Sequence, residues 1–102
     1  MSMETLERLE GDELYVARGS WGEARFRPPQ EPEFRRFVAT SARDGADLYA
    51  AQKALVMDCL VEPDRKAFSQ IVAKRPGLVV KIASDLIALA QDEEARFLER
   101  VG

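Results

Sequence analysis

One stretch, Leu55 to Ala90, constrains the fold of this chain more than any other: LVMDCLVEPDRKAFSQIVAKRPGLVVKIASDLIALA. An apolar, helix-forming run leads into Glu62-Pro63-Asp64, a short segment follows, and Arg75-Pro76-Gly77 precedes a longer apolar segment that ends near Gln91. Proline disfavours a helical residue before it and suits the first turn of a helix after it, so Pro63 must end one helix and help to open the next. The short helix is expected over Asp64 to Arg75, with Phe68, Ile71 and Val72 as its apolar side. Beyond Pro76-Gly77, Leu78, Val79, Ile82, Leu86 and Leu89 recur three and four apart, the spacing of a helix face.

The same reasoning orders the residues before this stretch. Leu14-Tyr15-Val16-Ala17-Arg18 and Glu23-Ala24-Arg25-Phe26-Arg27 are strand-like runs on either side of Gly19-Ser20-Trp21-Gly22, and the second alternates charged with apolar residues. They predict a β-hairpin over residues 13–27 with a four-residue Gly-rich turn, stopped by Pro28-Pro29 because proline donates nothing to a strand ladder. Glu31-Pro32-Glu33 opens a helix, with its acids placed favourably against the helix dipole. Phe34, Phe37, Val38 and Ala42 form its stripe until Asp44-Gly45. From an Asp47 or Asp44 cap, Leu48, Ala51, Leu55 and Cys59, joined by Tyr49, Val56 and Leu60, predict a more deeply buried helix. Met3, Leu6 and Leu9 read as one or two frayed helical turns in a mobile lead over residues 1–10. Asp92-Glu93-Glu94 extends the last helix or starts another, and Phe97, Leu98 and Val101 form a terminal apolar patch.

The expected architecture is therefore one mainly α domain of the α+β class over residues 1–102, an N-terminal β-hairpin followed by a compact bundle of four to five helices across residues 31–101. A chain of 102 residues buries roughly 60–65% of the surface its unfolded form exposes, enough for one modest core. No apolar run approaches the ~20 residues that cross a bilayer, and the acidic start lacks the basic and apolar regions of a signal peptide. Cys59 has no partner for an internal disulfide and sits in an apolar run, so it reads as a small core residue in a reducing cytosol.

Chemistry is mostly excluded. The chain has no histidine and one cysteine, which removes the usual zinc and Cys-His options, and no glycine-rich phosphate loop is present. The carboxylates of Glu31, Glu33, Asp92, Glu93 and Glu94 sit at expected helix starts, where they serve the helix dipole rather than acid–base work. Neither an enzyme nor a cofactor is expected. Recognition is better served: Tyr15, Trp21, Arg25, Phe26 and Arg27 combine the residue types that dominate binding hot spots, with Trp21 at a turn. The simpler role for the same aromatics is to cover the helices. Charge is uneven behind a net value of −3: residues 18–36 carry +2 and residues 62–84 carry +3, against −4 over residues 1–17 and −3 over residues 85–102. Such a layout suits a charged partner or a second copy of the chain.

The Arg25-to-Pro29 strand end, the Glu33-Phe34-Arg35-Arg36-Phe37 helix and the Leu55-to-Ala90 order of parts together resemble the tail assembly chaperones of long-tailed bacteriophages and prophages. The resemblance implies a non-structural assembly factor in the bacterial host cytoplasm. Such a factor coats the tape-measure protein, keeps its hydrophobic helices dispersed, and recruits tail-tube subunits. It also implies self-association and a client surface. Phe97, Leu98 and Val101, or the Leu78/Ile82/Leu86/Leu89 face if left partly uncovered, would supply that surface. Two other classes stay open. Asp64 to Leu89 could be a helix-turn-helix regulator, since Arg65, Lys66, Lys74, Arg75 and Lys81 are basic. Against it, the protein has a pI near 5.0 and Leu78 to Asp85 offers few groups able to read bases. The third class is a plain protein-interaction module.

Overall fold

The computed structural model describes residues 6–8 and 14–91, and its elements follow in the order β1 Leu6–Arg8, β2 Tyr15–Gly19, β3 Gly22–Phe26, α1 Glu31–Ser41, α2 Leu48–Cys59, β4 Leu60–Glu62, α3 Arg65–Lys74 and α4 Gly77–Ala90. The α+β class and the four helices between Glu31 and Ala90 stand as expected from sequence. The sheet is larger than a hairpin: four antiparallel strands lie in the order β1-β2-β3-β4.

Both additions come from pairing that no local pattern announces. Leu6–Arg8 pairs with Ala17–Tyr15 instead of forming helical turns. So short a segment cannot nucleate a helix alone, whereas the edge of β2 offers it a ready ladder. At the other edge α2 stops at Cys59, before the proline requires it, because Leu60 and Glu62 pair with Phe26 and Arg25 across an irregular register. The β2–β3 turn is also tighter than expected. Gly19 pairs with Gly22, leaving Ser20 and Trp21 as a two-residue loop. Gly22 has φ +125°, a backbone conformation that favours glycine.

Register decides which side chains reach the core. Tyr15 opposes Phe26 and Ala17 opposes Ala24, so these four share the sheet face that meets the helices. Leu55, Val56 and Cys59 of α2 pack there with Phe68 and Val72 of α3 and with Val79, Ile82, Ala83, Leu86 and Leu89 of α4. The Leu78/Ile82/Leu86/Leu89 face is thus core: Ile82 and Leu86 are fully buried, Leu89 nearly so, and only Leu78 is partly open. This removes it as a client surface, because packing against α2 and the sheet satisfies it inside the domain.

Each helix start has its own stop or cap. Asp47 accepts from the Ala50 N–H at 3.1 Å and Asp64 from the Ala67 N–H at 2.7 Å. α1 is the peripheral helix and has no fully buried residue; Phe37 packs on the core while Val38 and Ala42 face outward, so the expected stripe is narrower than its spacing suggested. Leu48 and Tyr49, in the first turn of α2, are likewise exposed. Leu86→Ala is expected to lower stability by about 2–5 kcal/mol, seen as a lower urea midpoint at unchanged slope.

Candidate functional site

Of the surface depressions among the described residues, the one beside the hairpin turn collects the chemistry of recognition. Trp21 is held there from two sides. Its indole meets the Phe68 ring edge-on, centroids 6.2 Å apart at 71°, and Phe68 in turn meets Phe26 edge-on at 5.6 Å. On the other side the indole lies over Gly19: a Cβ there would come 2.7 Å from Cδ1 and closer still to Nε1, so only glycine permits this seat. Trp21 remains partly exposed.

The helix α3 supplies the rest. Phe68 and Val72 face the core, whereas Ala67, Ile71 and Lys74, spaced by about one turn, line the outer side next to Trp21. Together with Gln70, Ala73 and Arg75 they bound an open groove of about 590 Å³. Its floor is apolar, no acidic side chain lines it, and neither Lys74 nor Arg75 has a carboxylate within ion-pair distance among the described residues. A smaller notch of about 130 Å³ lies between α1 and α2, where Ala50, Ala51 and Ala54 let Phe37 approach. A third depression of about 360 Å³ follows α4 past Val80, Ser84, Ile87 and Ala88.

The other residues singled out from sequence have structural work. Tyr15 and Phe26 are 5% and 0% exposed; they belong to the core and present no surface, because their strand register turns them inward. Arg25 crosses to Glu62 at 2.9 Å, tying β3 to β4. Arg27 makes paired contacts to both carboxylate oxygens of Glu33 and donates to the Asp58 carbonyl at 2.8 Å. Phe97, Leu98 and Val101 lie outside the described residues. The residues that sequence reasoning did not assign to binding are Ala67, Ile71 and Ala73. Ile71 packs partly on the core beside Phe68 and Val72 and with Ala67 carries the apolar side of α3 out to the surface, where only the hairpin turn decides what lies next to it.

Electrostatics support a structural role for the Arg27 cluster. The bond to Glu33 raises the Arg27 pKa, and the Arg27 guanidinium holds the Glu33 carboxyl below its ordinary value, with the Gln30 N–H adding to the same effect at 2.9 Å. Burial pushes the Cys59 thiol up to about 12, the opposite of an activated nucleophile. No group of three or more potential metal ligands occurs among the described residues. No helix among them is long and apolar enough to cross a membrane.

Residues 23–98 match a known family. The chain belongs to the DUF6848 family, a domain of unknown function. The matched span runs from β3 through all four helices, so it includes the α3 side of the groove and leaves Trp21 just outside. No curated protein and no solved structure matches the chain.

Two tests follow from the cluster and the thiol. Glu33 ionises more readily folded than unfolded, so its contribution is present above the ordinary carboxylate value of 4.5 and is lost as pH falls through the lower folded value. Glu33→Gln should cost about 1–3 kcal/mol at pH 7 and flatten the acid limb of a pH–stability curve. Cys59 should resist an aromatic disulfide reagent at pH 8 in the native protein and react within the dead time in denaturant. Its raised folded pKa also makes stability fall as pH climbs from the ordinary 9.0 towards about 12.

Proposed function

We propose that this protein is a phage tail assembly chaperone, acting without catalysis in the bacterial host cytoplasm, that binds and disperses the tape-measure protein and helps recruit tail-tube subunits. The observation that carries this reading is the open apolar groove between Trp21 and α3, on a domain whose one thiol, Cys59, is buried and whose Glu33 carboxylate is committed to a structural ion pair. A chaperone of helical clients needs such a face and no reaction centre. The order of parts from Leu55 to Ala90, with its acidic Pro-Asp step and Pro-Gly break, supports the same reading. Self-association of the chaperone is part of the proposal, and the outer side of α4 around Val80 and Ile87 is the apolar surface available for it.

A second reading, a nucleic-acid-binding regulator, is favoured by the basic outer side of α3. It is weakened by α4, which would have to be the recognition helix: its Val79, Ile82, Ala83 and Leu86 are buried, which leaves Val80, Lys81 and Ser84 outward. A plain interaction module would instead form a stoichiometric complex with a folded partner. Co-expression with the tape-measure protein, followed by a solubility assay and size-exclusion chromatography with light scattering, tests the proposal. The client should become soluble in a large complex only when this protein is present. A client that stays insoluble while this protein elutes unchanged would sink the chaperone reading.

A further inference from the structure

We infer that the Trp21–α3 groove is the docking site for an acidic amphipathic helix. This deepens the chaperone reading and rests on it for the helical nature of the client; the chemistry of the partner comes from the groove itself. Three features specify that chemistry. The floor, made by Trp21, Ala67, Ile71 and Ala73 beside the amide of Gln70, is mostly apolar, and Ala67, Ile71 and the stem of Lys74 follow one another along α3 at about one helical turn, which matches anchors spaced i, i+3/i+4 and i+7 on a partner helix. A volume of about 590 Å³ lies in the range that accommodates a few such side chains. Trp21 is a rigid anchor, fixed by Phe68 beneath it and by Gly19 alongside, so little side-chain freedom is lost on binding.

The rim supplies the sign. Lys74 and Arg75 stand at one end, both exposed, and no described carboxylate neutralises either. From Arg65 to Arg75 the chain holds four basic residues and no acid. Several arginines elsewhere on the surface are paired, Arg18 with Glu23, Arg35 with Glu31, Arg36 and Arg65 with Asp58, whereas exposed Arg43 has no carboxylate partner among the described residues. Unpaired cations beside an apolar floor complement a helix whose apolar stripe is flanked by Asp or Glu. A polynucleotide fits less well, because its phosphates would meet the cations but it brings no aliphatic stripe for Ala67, Ile71 and Ala73.

Trp21 is the only tryptophan in the chain, so emission excited selectively over Tyr15 and Tyr49 reads this groove. The probe is a synthetic helical peptide of Leu, Ala and Glu with Leu at i, i+3/i+4 and i+7, free of aromatic residues, and a twin in which every Glu is Lys. The acidic peptide should shift Trp21 emission saturably, more weakly as salt rises, and bind at least about tenfold tighter than its twin. The double variant Lys74→Glu/Arg75→Glu, at exposed positions that leave the circular dichroism spectrum unchanged, should reverse that preference. Equal binding of the two peptides, no response to either at about millimolar concentration, or unchanged acidic-peptide affinity in the variant overturns the inference. So does a single-stranded oligonucleotide that titrates Trp21 more tightly than the peptide and loses its effect in the variant. Repeating the co-expression assay with the variant separates the two proposals. A client insoluble with both proteins strikes the chaperone reading, while a client equally soluble with both strikes only this groove.

Discussion

Arg27 leaves the end of β3 and joins three chain segments that are distant in sequence. Its guanidinium forks onto Glu33 in the first turn of α1 and reaches the Asp58 carbonyl in the last turn of α2, while its own N–H donates to the Cys59 carbonyl at 2.9 Å. The final carbonyls of a helix have no partner within it and carry the negative end of its dipole, so a cation is favoured there twice over. Arginine suits the position because its planar fork can serve a carboxylate and a carbonyl at once. Asp58 extends the joint through its side chain, accepting from Arg36 of α1 at 2.9 Å and lying 3.6 Å from Arg65 at the start of α3. Sheet, α1, α2 and α3 therefore converge on the C-terminal turn of α2. Arg27 is 32% exposed and Glu33 14%, so this pair is shielded enough to matter where the more exposed pairs on the surface contribute little.

The Asp64 cap starts α3 next to that joint, and α3 divides the molecule between folding and recognition. Phe68 reaches inward to Phe26 and outward to the edge of Trp21, so one ring links the core to the groove. The groove is consequently stiff on the hairpin side and along α3. A rigid apolar surface with charged residues at its margin separates two tasks: the floor supplies contact area, and the rim supplies orientation and encounter rate. In a protein whose acidic net charge would otherwise repel an acidic partner, a local concentration of cations is what makes such an encounter favourable.

Much of the fold could be read from the chain because its signals are local. Pro63 and Pro76 act on their immediate neighbours, Asp47 and Asp64 cap the helices that follow them, and the three-and-four spacing of Val79, Ile82, Leu86 and Leu89 exists before any tertiary contact. The failures have one cause. Leu6–Arg8 and Leu60–Glu62 are strands only because a strand edge lies beside them, and Val38 and Leu48 are exposed because no described element packs over the ends of α1 and α2 that carry them. Composition marked Tyr15, Phe26 and Arg27 as recognition residues since the same side chains serve cores and interfaces; burial and pairing in the folded chain separate the two uses.

By itself the sequence determined the α+β class, the breaks between the helices and the place of Cys59 in an apolar run, all properties set by neighbours within a few residues. Tertiary structure alone decided the four-strand sheet, the structural duty of Arg27, and the placement of Trp21 against the outer side of α3. Those depend on register and on contacts between segments tens of residues apart, where a shift of one residue along a strand would send Tyr15 and Phe26 to the opposite face.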